Sequence, residues 1–156
     1  MNVFVSSLAQ AQVLFGNTDC VISIVDQDTI VPDFSIDPHN GKYHHLIVRA
    51  DDTDDPNDKF APSLQDIKSI MTFAKLGESV LVHCIAGVSR STAIGIGLMH
   101  MSGVSIFNAV QLVYMQRGFI NPNKLILKHI DTYLCMNGKF HKEVIDVFNT
   151  LPREEF

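Results

Sequence analysis

The stretch Ser79-Val80-Leu81-Val82-His83-Cys84-Ile85-Ala86-Gly87-Val88-Ser89-Arg90-Ser91-Thr92-Ala93 constrains this chain more than any other. A short apolar run rich in β-branched residues stops at His83-Cys84, and a helical pattern opens at Arg90-Ser91. This order predicts a buried strand, a tight loop containing Gly87 and a helix start. Five residues separate Cys84 from Arg90, enough for the loop to turn its backbone N–H groups inward above the helix N-terminus. The helix macrodipole adds partial positive charge there, and Arg90 adds a full one. A site of this construction suits a dianion.

The residue types inside the loop point to nucleophilic chemistry. A free cysteine has a pKa near 8.5, so only about 3% is thiolate at pH 7. Helix N-termini, inward amides and guanidinium groups bring cysteine values down to roughly 3.5–7.5. Cys84 is therefore the candidate nucleophile. The donors that stabilise a thiolate also hold phosphoryl oxygens. Arg90 suits bidentate binding of two of them, and Ser91 can donate its hydroxyl towards sulfur.

The rest of the chain frames this stretch as one α/β domain over residues 1–156, with a mainly parallel central sheet of four to five strands flanked by helices. Asn2 to Ser6 reads as a first strand, and Ser7 caps a short helix ended by Gly16-Asn17. Cys20 to Val25 reads as a strand covered on both faces. Asp26 to Lys42 reads as loop, and Tyr43 to Ala50 as a strand that delivers the acidic run Asp51-Asp52-Thr53-Asp54-Asp55. Pro62-Ser63 opens a helix with apolar residues at helical spacing, for which Gly77 is the predicted C′ residue. A helix from about Ser89 to Met101 carries Gly95 and Gly97, which predict close approach of that helix to the sheet. Further helices are expected from Ile106 to Gln116, from Pro122-Asn123 to Leu134 and from His141 to Leu151.

Composition excludes several classes. No segment approaches the roughly 20 apolar residues of a membrane span, and no leader pattern opens the chain, so a soluble, cytoplasmic protein is expected. Net charge is −5 with an acidic densest run, which argues against nucleic-acid and anionic-membrane partners. Cys20, Cys84 and Cys135 are three widely spaced cysteines without zinc spacing, so no metal or other cofactor is expected. The acidic run lacks the following glutamate of a calcium loop. Adjacent His44 and His45 point to opposite strand faces, and His39, His100, His129 and His141 show no ligand spacing. Gly95-Ile96-Gly97 lacks the third glycine of a dinucleotide fingerprint. Met99, Met101 and Met115 read as core.

His83 to Ser91 resembles the HCxxGxSRS signature of the cysteine-dependent protein tyrosine phosphatases, nearest to their dual-specificity subgroup. The similarity extends from the first strand at Val3 to the Arg117-Gly118-Phe119-Ile120-Asn121-Pro122-Asn123 segment and beyond. The resemblance implies a phosphatase-type phosphate-binding loop between strand and helix. It implies that Cys84 attacks phosphorus to give a phosphocysteine. Arg90 and the amides of Ile85, Ala86, Gly87, Val88, Ser89 and Arg90 then hold the equatorial oxygens. Ser91 would ease departure of the thiolate, and His83 would orient the loop. The family's general acid is an aspartate about thirty residues before the cysteine, on the loop after a strand. Asp52 fits that place, with Asp51, Asp54 and Asp55 as neighbouring alternatives. Asp26 departs from the family pattern, which often has an asparagine at this position to support the loop.

The implied reaction is hydrolysis of phosphotyrosine, with phosphoserine and phosphothreonine as further substrates, on a phosphorylated protein or peptide. Two other readings stay open: a phosphate ester outside proteins, such as a phosphoinositide or an RNA 5′-triphosphate, and a non-catalytic phosphate-binding module. The uncharged loop positions Ile85, Ala86 and Val88 favour a singly phosphorylated substrate.

Overall fold

The apolar, β-branched segments do form the centre of the molecule. The computed structural model describes residues 1–37 and 41–153, and His39 lies outside them. Its elements are β1 (Asn2–Ser6), α1 (Leu8–Leu14), a 3-10 turn (Phe15–Asn17), β2 (Cys20–Val25), β3 (Ile36–Asp37), β4 (Gly41–Lys42), β5 (His44–Arg49), α2 (Leu64–Ala74), β6 (Ser79–His83), α3 (Arg90–Met101), α4 (Ile106–Arg117), α5 (Lys124–Tyr133) and α6 (Lys139–Phe148). Four strands make one parallel sheet in the order β1-β6-β2-β5, as the sequence predicts. Within the segment read as loop, β3 and β4 pair antiparallel as a separate short ladder.

Every residue of β2 is buried, because helices cover both faces of this strand. Val3, Val5, Ile22, Ile24, Val80 and Val82 lie in the larger core with residues of α2 to α6. Val21 and Leu81 turn to the opposite face, against Ala11 of α1 and Phe34. Strand period and burial on both faces therefore agree. α3 runs through the interior, with Arg90 to Met99 buried.

Its two glycines serve different neighbours. A Cβ on Gly95 would come within 2.4 Å of Val5 Cγ2 on β1, so this residue permits the expected approach to the sheet. A Cβ on Gly97 would instead meet Ile130 Cδ1 of α5 at 2.7 Å and Met71 Cε of α2 at 3.2 Å, which corrects the expectation: Gly97 faces helices. Gly77 is also not the left-handed C′ residue expected after α2, since it is not among the glycines with positive φ. Its space is taken by Asp19 Cβ at 2.7 Å and Cys20 Sγ at 2.8 Å, where Asp19 accepts the N–H groups of Glu78 and Ser79 at the start of β6. Met115 is 77% exposed and so is not core, whereas Met99 is buried and Met101 partly so. α6 starts two residues before the expected His141 because the buried Asp131 carboxylate accepts the N–H groups of Gly138 and His141.

The sheet order places the site. β6 is central, and its last residue His83 pairs with Ser6 on one side and Ser23 on the other. The chain leaves the sheet between two neighbouring strand ends, the position where open parallel sheets form a crevice.

Candidate active site

The loop after β6 is shaped by what takes its carbonyls. Cys84 O accepts from His83 Nδ1 at 3.0 Å, and Ile85 O from the Leu8 N–H at 3.1 Å. Ala86 O and Gly87 O accept from Arg117 Nη2 and Nε at 3.3 and 2.8 Å. Val88 O takes the Asn121 N–H at 2.9 Å and Ser89 O the Asn123 N–H at 3.1 Å. Thr92 Oγ1 donates to both of the last two. A planar trans peptide directs each N–H opposite the preceding C=O. Six carbonyls bound on the outside therefore turn the amides of residues 85 to 90 inward.

At the centre of this ring lies Cys84, only 2% exposed. Its Sγ accepts the Gly87 N–H at 3.2 Å and sits 3.1 Å from Ser91 Oγ. Both contacts stabilise negative charge on sulfur, the second when Ser91 donates. Gly87 has φ +70, and a Cβ there would meet the Ser7 N atom at 2.6 Å and Ser6 C at 2.7 Å. Conformation and space both require glycine at this position. Ser89 is the N-cap residue of α3, yet its side chain makes no cap hydrogen bond, so the amides at this helix start stay available to an anion.

Arg90 is 4% exposed. Its Nη1 donates to Asp26 Oδ1 at 2.7 Å and to Ala50 O at 2.8 Å, while its buried Nε has no partner among the described residues. One edge of the guanidinium is thus anchored, while its Nε is not. Asp26, the departure noted in the sequence, is the anchor. It sits on a loop whose carbonyls at Asp26, Gln27 and Thr29 are gathered by Arg49 Nη1.

Asp52 comes to the same place from the far side. Its Oδ1 accepts Ser89 Oγ at 2.7 Å and Asn123 Nδ2 at 3.0 Å. Asn123 also donates to Thr53 O at 3.0 Å, and Asp54 Oδ1 caps α5 by accepting the Lys124 N–H at 2.9 Å. Of the acidic run, Asp51 and Asp52 line the cleft that contains Arg90. Asp54 is committed to α5, and Asp55 Oδ1 accepts the Asn57 N–H within its own loop.

His83 belongs to a chain of hydrogen bonds whose direction is set by its two ends. The Phe34 N–H can only donate, here to His45 Nδ1 at 3.3 Å, and Cys84 O can only accept. Neutral His45 then donates from Nε2 to Ser23 Oγ at 2.9 Å, Ser23 donates to His83 Nε2 at 2.5 Å, and His83 donates from Nδ1 to Cys84 O. Phe34 packs edge-on to both imidazoles. Burial pushes His83 from about 6.5 down to about 4; the Cys84 carbonyl opposes this and His45 adds to it. Burial also lowers His45, with Asp33 opposing.

The pH dependence of stability follows from His83. Between pH 6.5 and 4 the unfolded chain binds a proton that the folded chain does not, so stability falls as pH drops through that window. At 1.36 kcal/mol per pH unit the loss is about 3 kcal/mol by pH 4. Chemical denaturation at pH 7 and pH 4 should show it, and His83→Asn should reduce the difference by about that amount. An unchanged difference would mean that His83 does not carry it.

The geometry brings together Cys84, Arg90, Ser91, His83, Asp52 and the loop residues named from sequence. Asp26, Ser23, His45, Arg117 and Asn123 were not assigned these contacts, which all join residues distant in sequence. The other two cysteines stand apart from Cys84. Cys20 pairs with Val80, four residues before Cys84, or about 13 Å along the strand at 3.3 Å per residue. Cys135 follows α5, whose opposite end meets the loop through Asn123; ten residues of helix separate them by about 15 Å. Neither reaches Cys84 for a disulfide.

Among solved structures, the chain is similar to the human tyrosine phosphatase-like serine/threonine/tyrosine-interacting protein (23% identity, TM-score 0.62, covering 87% of this chain and 93% of that one). It is also similar to PTPMT1 in complex with PI(5)P (20%, TM-score 0.61, 93% of each chain) and to human DUSP28 (20%, TM-score 0.59, 88% and 94%). At these identities the likeness is one of fold. No curated protein matched significantly by sequence. The family model described as "Dual specificity phosphatase, catalytic domain" matches residues 6–133, a span that contains Cys84, the carbonyl-bound loop and Asp52, and the chain belongs to that family.

Proposed function

We propose that this chain is a protein phosphatase that hydrolyses phosphotyrosine, and phosphoserine and phosphothreonine as well, through a phosphocysteine on Cys84. The observation that carries the reading is the ring of inward amides around Cys84 Sγ with the partnerless edge of Arg90 beside it. Phosphoryl oxygens fill those donors while sulfur attacks phosphorus in line. The S–P bond forms, the P–O bond to the leaving group breaks, and Asp52 supplies the proton to the departing oxygen. Oδ1 of Asp52 is already taken by two donors, so its proton resides on Oδ2. Water then attacks the phosphocysteine, Asp52 takes its proton, and Ser91 donates to the leaving sulfur. His83 holds the Cys84 carbonyl and does not act as the base.

Burial of sulfur behind exposed Ile85 and Ala86 gives a nucleophile reached from one side only. The open cleft lined by Arg90 and Asp52 supports acceptance of short and long phosphorylated side chains. Rapid acid quench after mixing with a radiolabelled aryl phosphate should trap one phosphate per chain on Cys84, with vanadate competing. Turnover without a trapped, cysteine-linked phosphate under single-turnover conditions would overturn the mechanism.

A further inference from the structure

Around Arg90 the cleft is lined by Asp26, Asp28, Asp51 and Asp52, with Gln27, Thr29 and Phe60. Four carboxylates face one guanidinium. Arg90, which lines this cleft, is nearly fully buried and already paired with Asp26, and its buried Nε has no partner among the described residues. One phosphoryl group can complete it, and among the described residues Arg90 is the one cationic residue that lines this cleft. The nearest lysine on the acidic loop, Lys59, lies over the Phe60 ring at 5.1 Å. Arg49 Nη1 donates to the carbonyls of Asp26, Gln27 and Thr29, which stiffens the segment that carries Asp26 and Asp28. Asp28 and Asp52 are exposed and Asp51 half-exposed, which leaves their charge facing whatever flanks the phosphoryl group.

We propose that this carboxylate collar selects a phosphorylated peptide segment with lysine or arginine beside the phosphorylated residue, and rejects substrates with further phosphates or acidic neighbours. The selection rests on the phosphatase reading of Cys84 and Arg90 and adds the chemistry of what surrounds the scissile group. Charges near such a surface act at short range and are screened with a Debye length of about 8 Å at physiological salt. The residues adjacent to the phosphorylated one therefore dominate, and selection is strongest at low salt.

Four phosphotyrosine peptides, with Arg, Gln, Glu or a second phosphotyrosine flanking the target, test this beside an aryl phosphate with no charge other than its phosphate and phosphatidylinositol monophosphate in zwitterionic vesicles. At about 50 mM salt, kcat/KM should be roughly tenfold or more higher for the Arg-flanked peptide than for the Glu-flanked one. The ratio should shrink several-fold at 0.5 M salt as the Debye length contracts to roughly 4 Å. Asp28→Lys should reduce the ratio of the Arg-flanked to the Glu-flanked peptide, a quantity in which any change common to all phosphate substrates cancels. Equal values for the two peptides, or faster turnover of the lipid or the doubly phosphorylated peptide than of the Arg-flanked one, would overturn the collar. Failure of the wild-type chain to hydrolyse the aryl phosphate would instead overturn the phosphatase reading, and the collar with it.

Discussion

Cys84→Ser should abolish hydrolysis of an aryl phosphate, a loss on the order of 10⁴-fold to 10⁶-fold as for other enzymes stripped of a covalent nucleophile. Oxyanion binding should survive. The six loop carbonyls are held by Leu8, Arg117, Asn121, Asn123, Thr92 and His83, and none of these contacts involves sulfur. Serine also keeps a polar atom next to Ser91. Isothermal titration with tungstate should therefore give a Kd for the variant within about tenfold of that for wild type, a change of under about 1.4 kcal/mol. Residual turnover above a hundredth of the wild-type rate would exclude Cys84 as nucleophile. Loss of both turnover and tungstate binding would show that sulfur itself shapes the cradle, contrary to the bonding seen here.

Asp52→Asn should lower kcat by about 10²-fold to 10⁴-fold, the range for loss of a general acid. The amide oxygen of asparagine can still accept from Ser89 and Asn123, so the loop stays docked and the effect isolates the proton. For that reason the loss should depend on the leaving group, large for an alkyl phosphate and small for an aryl phosphate whose phenolate leaves without help. A series of aryl phosphates of graded leaving-group acidity measures this as a steeper slope in the variant. Asp54→Asn and Asp55→Asn should stay within a few-fold of wild type. A drop confined to Asp54→Asn, with Asp52→Asn normal, would move the acid to that residue.

How much of this was readable in advance follows from where the contacts lie along the chain. Cys84, Gly87, Arg90 and Ser91 lie within eight consecutive positions, so local pattern suffices to name them. The parallel sheet was legible because its strands are short β-branched runs separated by helical periodicity. What pattern could not supply is the bracing. Asp26 and Arg90 are 64 positions apart, Asp52 and Asn123 71 apart, and Ser23 and His83 60 apart. Each depends on the strand order β1-β6-β2-β5, which the spacing of the runs leaves open. The same limit explains Gly77 and Gly97. A glycine reads as a cap or a sheet contact from its local setting, whereas here Asp19, Cys20, Ile130 and Met71 determine what it must avoid. The Asp26 departure becomes intelligible once β2 and β5 are seen to end side by side: a carboxylate there pairs directly with Arg90.

The bonding of the loop also bears on how the protein assembles. Its walls come from Ser6, Ser7 and Leu8 at one end of the chain and from Arg117, Asn121 and Asn123 near the other. Val5 and Gln116, 111 positions apart, tie those two regions together. Closing so long a segment is entropically costly and comes late in folding. On refolding from urea, tungstate binding should therefore return with the last phase, after helical signal has recovered. A peptide of residues 79–101 contains the whole signature and keeps His83 and Thr92, yet without Leu8 and Arg117 the carbonyls of Ile85, Ala86 and Gly87 have lost the partners that hold them outward.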